Sequence, residues 1–398
     1  MVSTPQQPAD VRANDGERRP SILFVNDLWG YGTVTMAMAV AEELGKRAHR
    51  AHRTFAGEGP GYDLASRGPF DRFLETNTMA ESIAPELDQC LREADAVVSV
   101  MNKHVARRAA ELGRPCVYLD CLLWMWAAPP DVPRTVPYFA ERFPGAEDRL
   151  TQWQDRFGEA AVVGPLVSLP VGPADRDAKD VLINFGGLYC PLVDQDSLLA
   201  YANVMARCAL RALDGSDGRV VIGAGRHILD AMDLPALRAV RRNVELADLD
   251  HAGYLAALRR SRALISASGM HALYEACALD VPCICLPAQN LSGSLALDVL
   301  GRMGVDRVLN WSDLYGLRGL DAADQPEACR RIAECIHRFA GDADNQAKLV
   351  RRLRDALDAD HLARIRHRQA RFFQDQGACG NGPVADRLLD MIAAAVPR

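Results

Sequence analysis

Ala263-Leu-Ile-Ser-Ala-Ser-Gly-Met-His-Ala-Leu-Tyr-Glu-Ala-Cys-Ala-Leu-Asp-Val-Pro-Cys-Ile-Cys-Leu-Pro287 reads as strand, tight turn, helix and strand. Ser268-Gly269 supplies the turn and a helix start, where unpaired backbone N–H groups and the positive end of the helix dipole can hold a phosphate. At 100° per residue, Ser268, His271 and Glu275 share one helical face, and Met270, Leu273, Tyr274 and Cys277 fall on the opposite one. The spacing therefore predicts a buried apolar stripe and a separate polar stripe. Seven residues of helix span roughly 10 Å, so the helix start can meet a pyrophosphate while Glu275, two turns along, binds the hydroxyls of an attached ribose. The plain alternative is an ordinary capped helix in an α/β domain.

Outward from this unit the same pattern recurs. Ser21-Ile-Leu-Phe-Val25 is a short apolar run that ends in Asn26-Asp27 and Gly30-Tyr31-Gly32 before a helical stretch from Thr33 to Lys46. Strands are expected near Ala51–Ala56, Ala96–Met101 and Pro115–Leu119, with helices over Met79–Glu93 and Val105–Leu112. Ala127 to Pro144 carries five prolines and reads as loop. After a last strand near Ala161 comes a Pro/Gly-rich linker, and at Asp180-Val-Leu-Ile-Asn-Phe-Gly-Gly187 the pattern restarts, with a helix over Ser197–Leu213 and a strand over Arg219–Ile222. The tail is helical and charged, and ends in an amphipathic helix, Pro383–Ala395. The fold class expected is α/β, with two doubly wound, Rossmann-like domains. Their boundaries are a disordered arm over 1–20, an N-terminal domain over 21–165, a linker over 166–178, a C-terminal domain over 179–379 and a final helical segment over 380–398 that packs back on the N-terminal domain.

The chain has 398 residues, enough for two cores, and its 49% hydrophobic and 25% charged content is that of a globular protein. A net charge of −6 offers no electrostatic footprint for nucleic acid or a membrane surface, so small molecules are the expected partners. Eleven scattered cysteines include no Cys-x-x-Cys pair, which predicts free thiols in a reducing cytoplasm and no metal site. No run approaches the ~18 apolar residues of a membrane span. The oligomeric state is left open between a monomer and a homodimer.

Several groups sit where chemistry is expected. Gly186-Gly187 after a buried strand lets backbone amides approach a phosphate, unless it is a simple turn pair. Arg226, in Gly223-Ala-Gly-Arg-His227, could pair with a diphosphate or a sugar carboxylate, or be a solvated loop residue. The absence of Gly-x-Gly-x-x-Gly argues against a nicotinamide enzyme. In the first half, Asn26-Asp27, Asn102-Lys103-His104 and Asp120 stand at the carboxyl ends of strands, where ligands of doubly wound sheets belong. Asp27 has a competing reading as a helix cap, Asp120 as a turn residue and His104 as a surface helix start. Trp124 and Trp126 could stack on a planar molecule or cover the core.

This arrangement resembles the GT-B glycosyltransferases. Phe185-Gly186-Gly187, the unit Ala263–Leu279, Val281-Pro282, Pro287 and Gln289-Asn290 resemble the branch that contains the lipid-linked N-acetylglucosaminyltransferase of peptidoglycan synthesis. Asp280 stands where that branch usually has glycine. In the first half, Phe24-Val-Asn-Asp-Leu-Trp-Gly-Tyr-Gly-Thr33, Arg53-Thr-Phe-Ala-Gly-Glu-Gly-Pro60 and Phe70-Asp71 resemble the cytosylglucuronate and hydroxymethylcytosylglucuronate synthases. The resemblance implies an inverting, metal-independent transfer of glucuronate from UDP-glucuronate to N1 of a cytosine, with no cofactor beyond the donor. It implies a donor site of Gly186, Gly187, Arg226, Ser268, Gly269, His271, Glu275, Gln289 and Asn290, with the base seated near Glu245-Leu-Ala-Asp248. It further implies an acceptor site of Trp29, Gly30, Tyr31 and Trp124. Asp27 is the first choice of base, with His104 and Asp120 as alternatives.

Overall fold

The computed structural model describes residues 19–48, 51–169, 172, 174–305 and 308–395. The expected disordered arm therefore lies outside the described residues except for Arg19 and Pro20, and so do residues 170, 171 and 173 of the expected linker. The first unit runs β1 (Ser21–Asn26), α1 (Gly32–Arg47), β2 (His52–Gly57), α2 (Gly59–Ala65), β3 (Arg72–Glu75), α3 (Pro85–Glu93), β4 (Ala96–Val100), α4 (Lys103–Glu111), β5 (Cys116–Asp120), β6 (Tyr138–Glu141), α5 (Ala146–Trp153) and β7 (Ala160–Val163). The second runs β8 (Asp180–Gly186), α6 (Gln195–Ala212), β9 (Val220–Ala224), α7 (Arg226–Leu229), α8 (Leu234–Val240), β10 (Val244–Ala247), α9 (His251–Arg259), β11 (Ser261–Ser266), α10 (Met270–Ala278), β12 (Cys283–Cys285) and α11 (Leu291–Arg302). Five helices follow: α12 (Trp311–Tyr315), α13 (Gln325–Ala340), α14 (Ala343–Ala356), α15 (Ala359–Asp375) and α16 (Asn381–Ala395). Among the described residues, no helix is long and apolar enough to cross a membrane.

Both sheets are parallel, in the orders β3-β2-β1-β4-β5-β6-β7 and β10-β9-β8-β11-β12. Central strands buried on both faces must be apolar throughout, which is why Ile22–Val25 and Val97–Val98 carry no alternation. In each sheet the strand order reverses beside the first strand, between β1 and β4 and between β8 and β11. These are the two points where a crevice opens at the carboxyl ends of the strands. The expectations for α3 and for Ala127–Pro144 need correcting. The helix begins only at Pro85, whose ring suits a first turn, and the proline-rich stretch hides β6, which joins the sheet between β5 and β7.

α16 returns to the first unit. Val384, Ala385 and Leu388 are fully buried in the core that α1, β1 and β4 build. The two units meet along α10. Tyr274 donates its hydroxyl to the Arg142 carbonyl at 2.6 Å, and His271 Nε2 lies 3.4 Å from Glu141 Oε2. The polar stripe expected on α10 is thus not solvated, since His271 and Glu275 are buried in the seam. Burial pushes the Glu141 carboxyl up to about 8 and the His271 imidazole down to about 4, so at neutral pH both are uncharged.

Two outcomes follow from this packing. Leu388→Ala should cost about 2–5 kcal/mol in urea unfolding, and a loss below about 0.5 kcal/mol would detach α16 from the core. For Glu141 the folded pKa stands above the unfolded one, so its contribution to stability falls as pH rises from 4.5 to about 8. Glu141→Gln keeps the neutral shape, and the stability it retains between about pH 5 and 8 should slope less steeply than wild type. Identical slopes would mean that Glu141 holds no proton in the fold.

Candidate active site

The loops at the two crevices face one another across a cleft of about 690 Å3. On the C-terminal side, neighbouring helices α6, α9 and α11 are capped by the side chains of Asp194, Asp250 and Asn290. α10 is not: its N-cap is Gly269, with no side-chain bond to its first N–H groups. Beside that helix start lie Ser268 Oγ and Gln289 Oε1, both buried and both without a hydrogen-bond partner. Gly269, His271, Glu275 and Asn290 also line the cleft. This wall offers unpaired donors, a helix dipole and buried polar atoms, the equipment for an anion.

Glu275 is already engaged, because His251 Nε2 lies 2.7 Å from its Oε1. Burial works against a charged imidazole at His251, but the Glu275 carboxylate outweighs it and leaves the His251 pKa above its ordinary value. Both residues line the cleft.

On the N-terminal side the loop after β1 is stapled through its backbone. Thr33 Oγ1 donates to the Asp27 carbonyl at 3.0 Å, and Asn26 Nδ2 donates to Thr33 Oγ1 at 3.2 Å. The Asp27 carboxylate is not the cap of α1, whose N-cap is Tyr31. It lines the cleft beside Lys103, and burial, partly offset by Lys103, raises it to about 7. His104 lines the same wall, and burial lowers its pKa. Met101, at the end of β4 and also in the wall, holds φ at 61°, a conformation that non-glycine residues keep mostly where the surroundings enforce it.

Tyr31 reaches across the cleft. A Cβ on Gly187 would meet its ring at 2.6 Å, and one on Gly225 would meet its hydroxyl at 2.8 Å. The close approach that Gly187 permits here is to this ring. Trp29 and Gly30 line the cleft beside it, as does Gly186.

Other expected residues stand elsewhere. Asp120 is fully buried, does not line the cleft and accepts hydrogen bonds from Leu122 N–H, Trp126 Nε1–H and the Tyr138 hydroxyl, so it is not positioned to meet a substrate. Trp124 turns inward, where Nε1 donates to the Cys121 carbonyl and the ring packs 4.6 Å from Phe143; Trp126 lines the cleft in its stead. Arg226 is on the rim, paired with Asp248 at 3.0 Å, and Asp248 also binds Arg67 of the other unit at 3.0 Å. Arg226 therefore misses the cleft, and Leu249 rather than Asp248 lines it. The apolar lining of Met79, Tyr118 and Met125 was not anticipated. No local signal marks these residues, because they are brought together from the loop before α3 and from β5 with the turn that follows it.

No protein-family model matches the sequence, and no curated protein matches it either. Solved structures do match. CalG4, the calicheamicin glycosyltransferase, is 17% identical over 96% of this chain and 100% of its own, with a TM-score of 0.50. A UDP-glucose: anthocyanidin 3-O-glucosyltransferase in complex with UDP is 11% identical over 95% of this chain and 100% of its own, with a TM-score of 0.52. Os79 from O. sativa, in complex with UDP, is 13% identical over 93% of this chain and 100% of its own, with a TM-score of 0.55. The likeness at these identities is one of fold: the chain has the GT-B architecture, two Rossmann-like units facing across a cleft.

Proposed function

We propose that the chain is an inverting glycosyltransferase that moves a sugar from a UDP-sugar, glucuronate from UDP-glucuronate, to N1 of cytosine or a cytosine derivative in the making of a nucleoside natural product. One observation carries the reading. An uncapped helix start with unpartnered Ser268 and Gln289 faces, across a single cleft, a carboxylate whose proton affinity is tuned close to neutrality. The UDP-bound glucosyltransferase and Os79, built on the same fold, add support for a nucleotide-sugar donor.

In this reading the first turn of α10 meets the diphosphate, and Glu275, backed by His251, meets the ribose. Asp27 takes the N1–H proton as N1 attacks the anomeric carbon from the face opposite the diphosphate. The C1–O bond breaks, UDP leaves with the electron pair, and the configuration inverts. A silent, ligand-binding protein is disfavoured because Asp27 and His104 both face the cleft. Transfer to another flat small molecule is the second reading, favoured by the apolar wall of Met79, Tyr118 and Met125.

Asp27 works as a base only when ionised, so kcat should rise with pH through about 7 and level off above it. Asp27→Asn removes the basicity and keeps the shape. It should lower kcat about 10²–10⁴-fold and abolish that limb while UDP affinity stays at the wild-type value. Full turnover in this variant would move the base to His104.

Lys103, Arg226 and His227 are basic residues that could meet the donor's carboxylate, and of these Lys103 lines the cleft whereas Arg226 and His227 do not. Lys103→Ala should therefore lose most of the preference for UDP-glucuronate over UDP-glucose, read as the ratio of the two kcat/KM values, while Arg226→Ala keeps it. An unchanged ratio in Lys103→Ala would exclude this residue as the carboxylate's partner.

A further inference from the structure

Two tryptophans two residues apart meet opposite fates after β5, and the buried Asp120 separates them. The strand ends at Asp120, and the chain turns at once, with Leu122 N–H donating to Asp120 Oδ1 at 2.6 Å. Trp124 goes into the core. Trp126 returns its indole N–H to Asp120 Oδ2 at 2.9 Å, and the Tyr138 hydroxyl of neighbouring β6 donates to the same oxygen. All three partners are donors, a cage that suits an ionised carboxylate, although burial pulls its pKa the other way.

An indole has one polar atom. With that atom tied to Asp120, what Trp126 offers the cleft is carbon and π surface. Pro129 and Pro130 follow it in the same wall, and their rings restrict how far the segment can move. Tyr118 and Met125 extend the apolar surface, and Asp27 lies in the same cleft.

We propose that Trp126 is the stacking platform for the acceptor, which must then be a flat, conjugated ring bearing an acidic N–H or O–H, and that Asp120 is a positioning residue that acts through Trp126. This rests on the transferase reading of the cleft. Asp120 is thereby a specificity device rather than a base.

The experiment uses the full chain with UDP-glucuronate and cytosine, and reads UDP affinity by calorimetry and acceptor KM and kcat by product formation. Trp126→Ala should raise the acceptor KM about 5- to 150-fold, the range that loss of one base–aromatic stack produces, with UDP affinity unchanged. Trp126→Phe keeps a ring but loses the tether, and its KM should fall between wild type and Trp126→Ala. Asp120→Asn should raise KM in the wild-type background and change nothing further in the Trp126→Ala background, because it acts through a side chain already gone. Additive effects, or a fall in kcat at constant acceptor KM, would overturn the positioning role. If Asp120→Asn does not fold, the two Trp126 variants still decide whether the platform exists. An active enzyme whose acceptor KM is the same in Trp126→Ala overturns the platform alone. A wild type that binds neither UDP nor cytosine overturns the transferase reading and the platform with it.

Discussion

Helix α10 is gripped from both sides, and the rest of the cleft depends on that grip. From the first unit, Arg142 takes the Tyr274 hydroxyl and Glu141 stands against His271. From the second, Tyr274 stacks on Phe372 of α15 at 6.1 Å, and Leu273, Ala276 and Cys277 enter a core shared with β12 and α11. A helix fixed along its length has its first turn fixed as well. The first turn is the part without a side-chain cap, so its N–H groups are left directed at the cleft with no protein partner of that kind. The same contacts fix how the two sheets face one another, and hence how far Asp27 stands from the helix start.

Charge is managed locally rather than by the net balance. The chain carries −6 overall, and the cleft is lined by one lysine, Lys103, and by the imidazoles of His104, His251 and His271. A diphosphate would thus be met mainly by backbone dipoles, which need no mobile cation and lose no side-chain entropy. Three carboxyls of the first unit show how environment separates roles. Glu141 is fully buried with one backbone donor, from Leu166, and is held up at about 8. Asp120 is as deeply buried but surrounded by donors. Asp27 is only partly buried, with Lys103 nearby, and stands at about 7, where a small change of pH changes its state.

The sheets were legible because their central strands are apolar runs closed by polar or glycine residues, as at Val25-Asn26-Asp27 and Phe185-Gly186-Gly187. Boundaries failed where composition misled. Met79–Ala84 continues the helical pattern of α3 but does not form helix, and prolines at 130, 133 and 137 suggested a loop where Tyr138–Glu141 pairs on both sides. Asp280, between α10 and β12, adopts φ of 59°, a backbone conformation that favours glycine, and is held by an ion pair with Arg176 at 2.5 Å.

What the sequence by itself determined is the set of repeating strand–loop–helix units, because hydrophobic period and turn chemistry act over a few neighbouring residues. Parallel strands with right-handed crossovers then leave few topologies, and the loops at strand ends become the candidates for function. Only the tertiary structure decided which candidates reach the cleft. Trp124 and Trp126, or Lys103 and Arg226, have similar local surroundings in the chain, and they are sorted by contacts that only the fold creates: Asp120, itself held by Tyr138 of the next strand, for Trp126, and Asp248, shared with Arg67 of the other unit, for Arg226. Burial, and with it the proton affinity of Asp27 and Glu141, is likewise a property of the packed whole, since the desolvation that raises both comes from atoms distant in sequence.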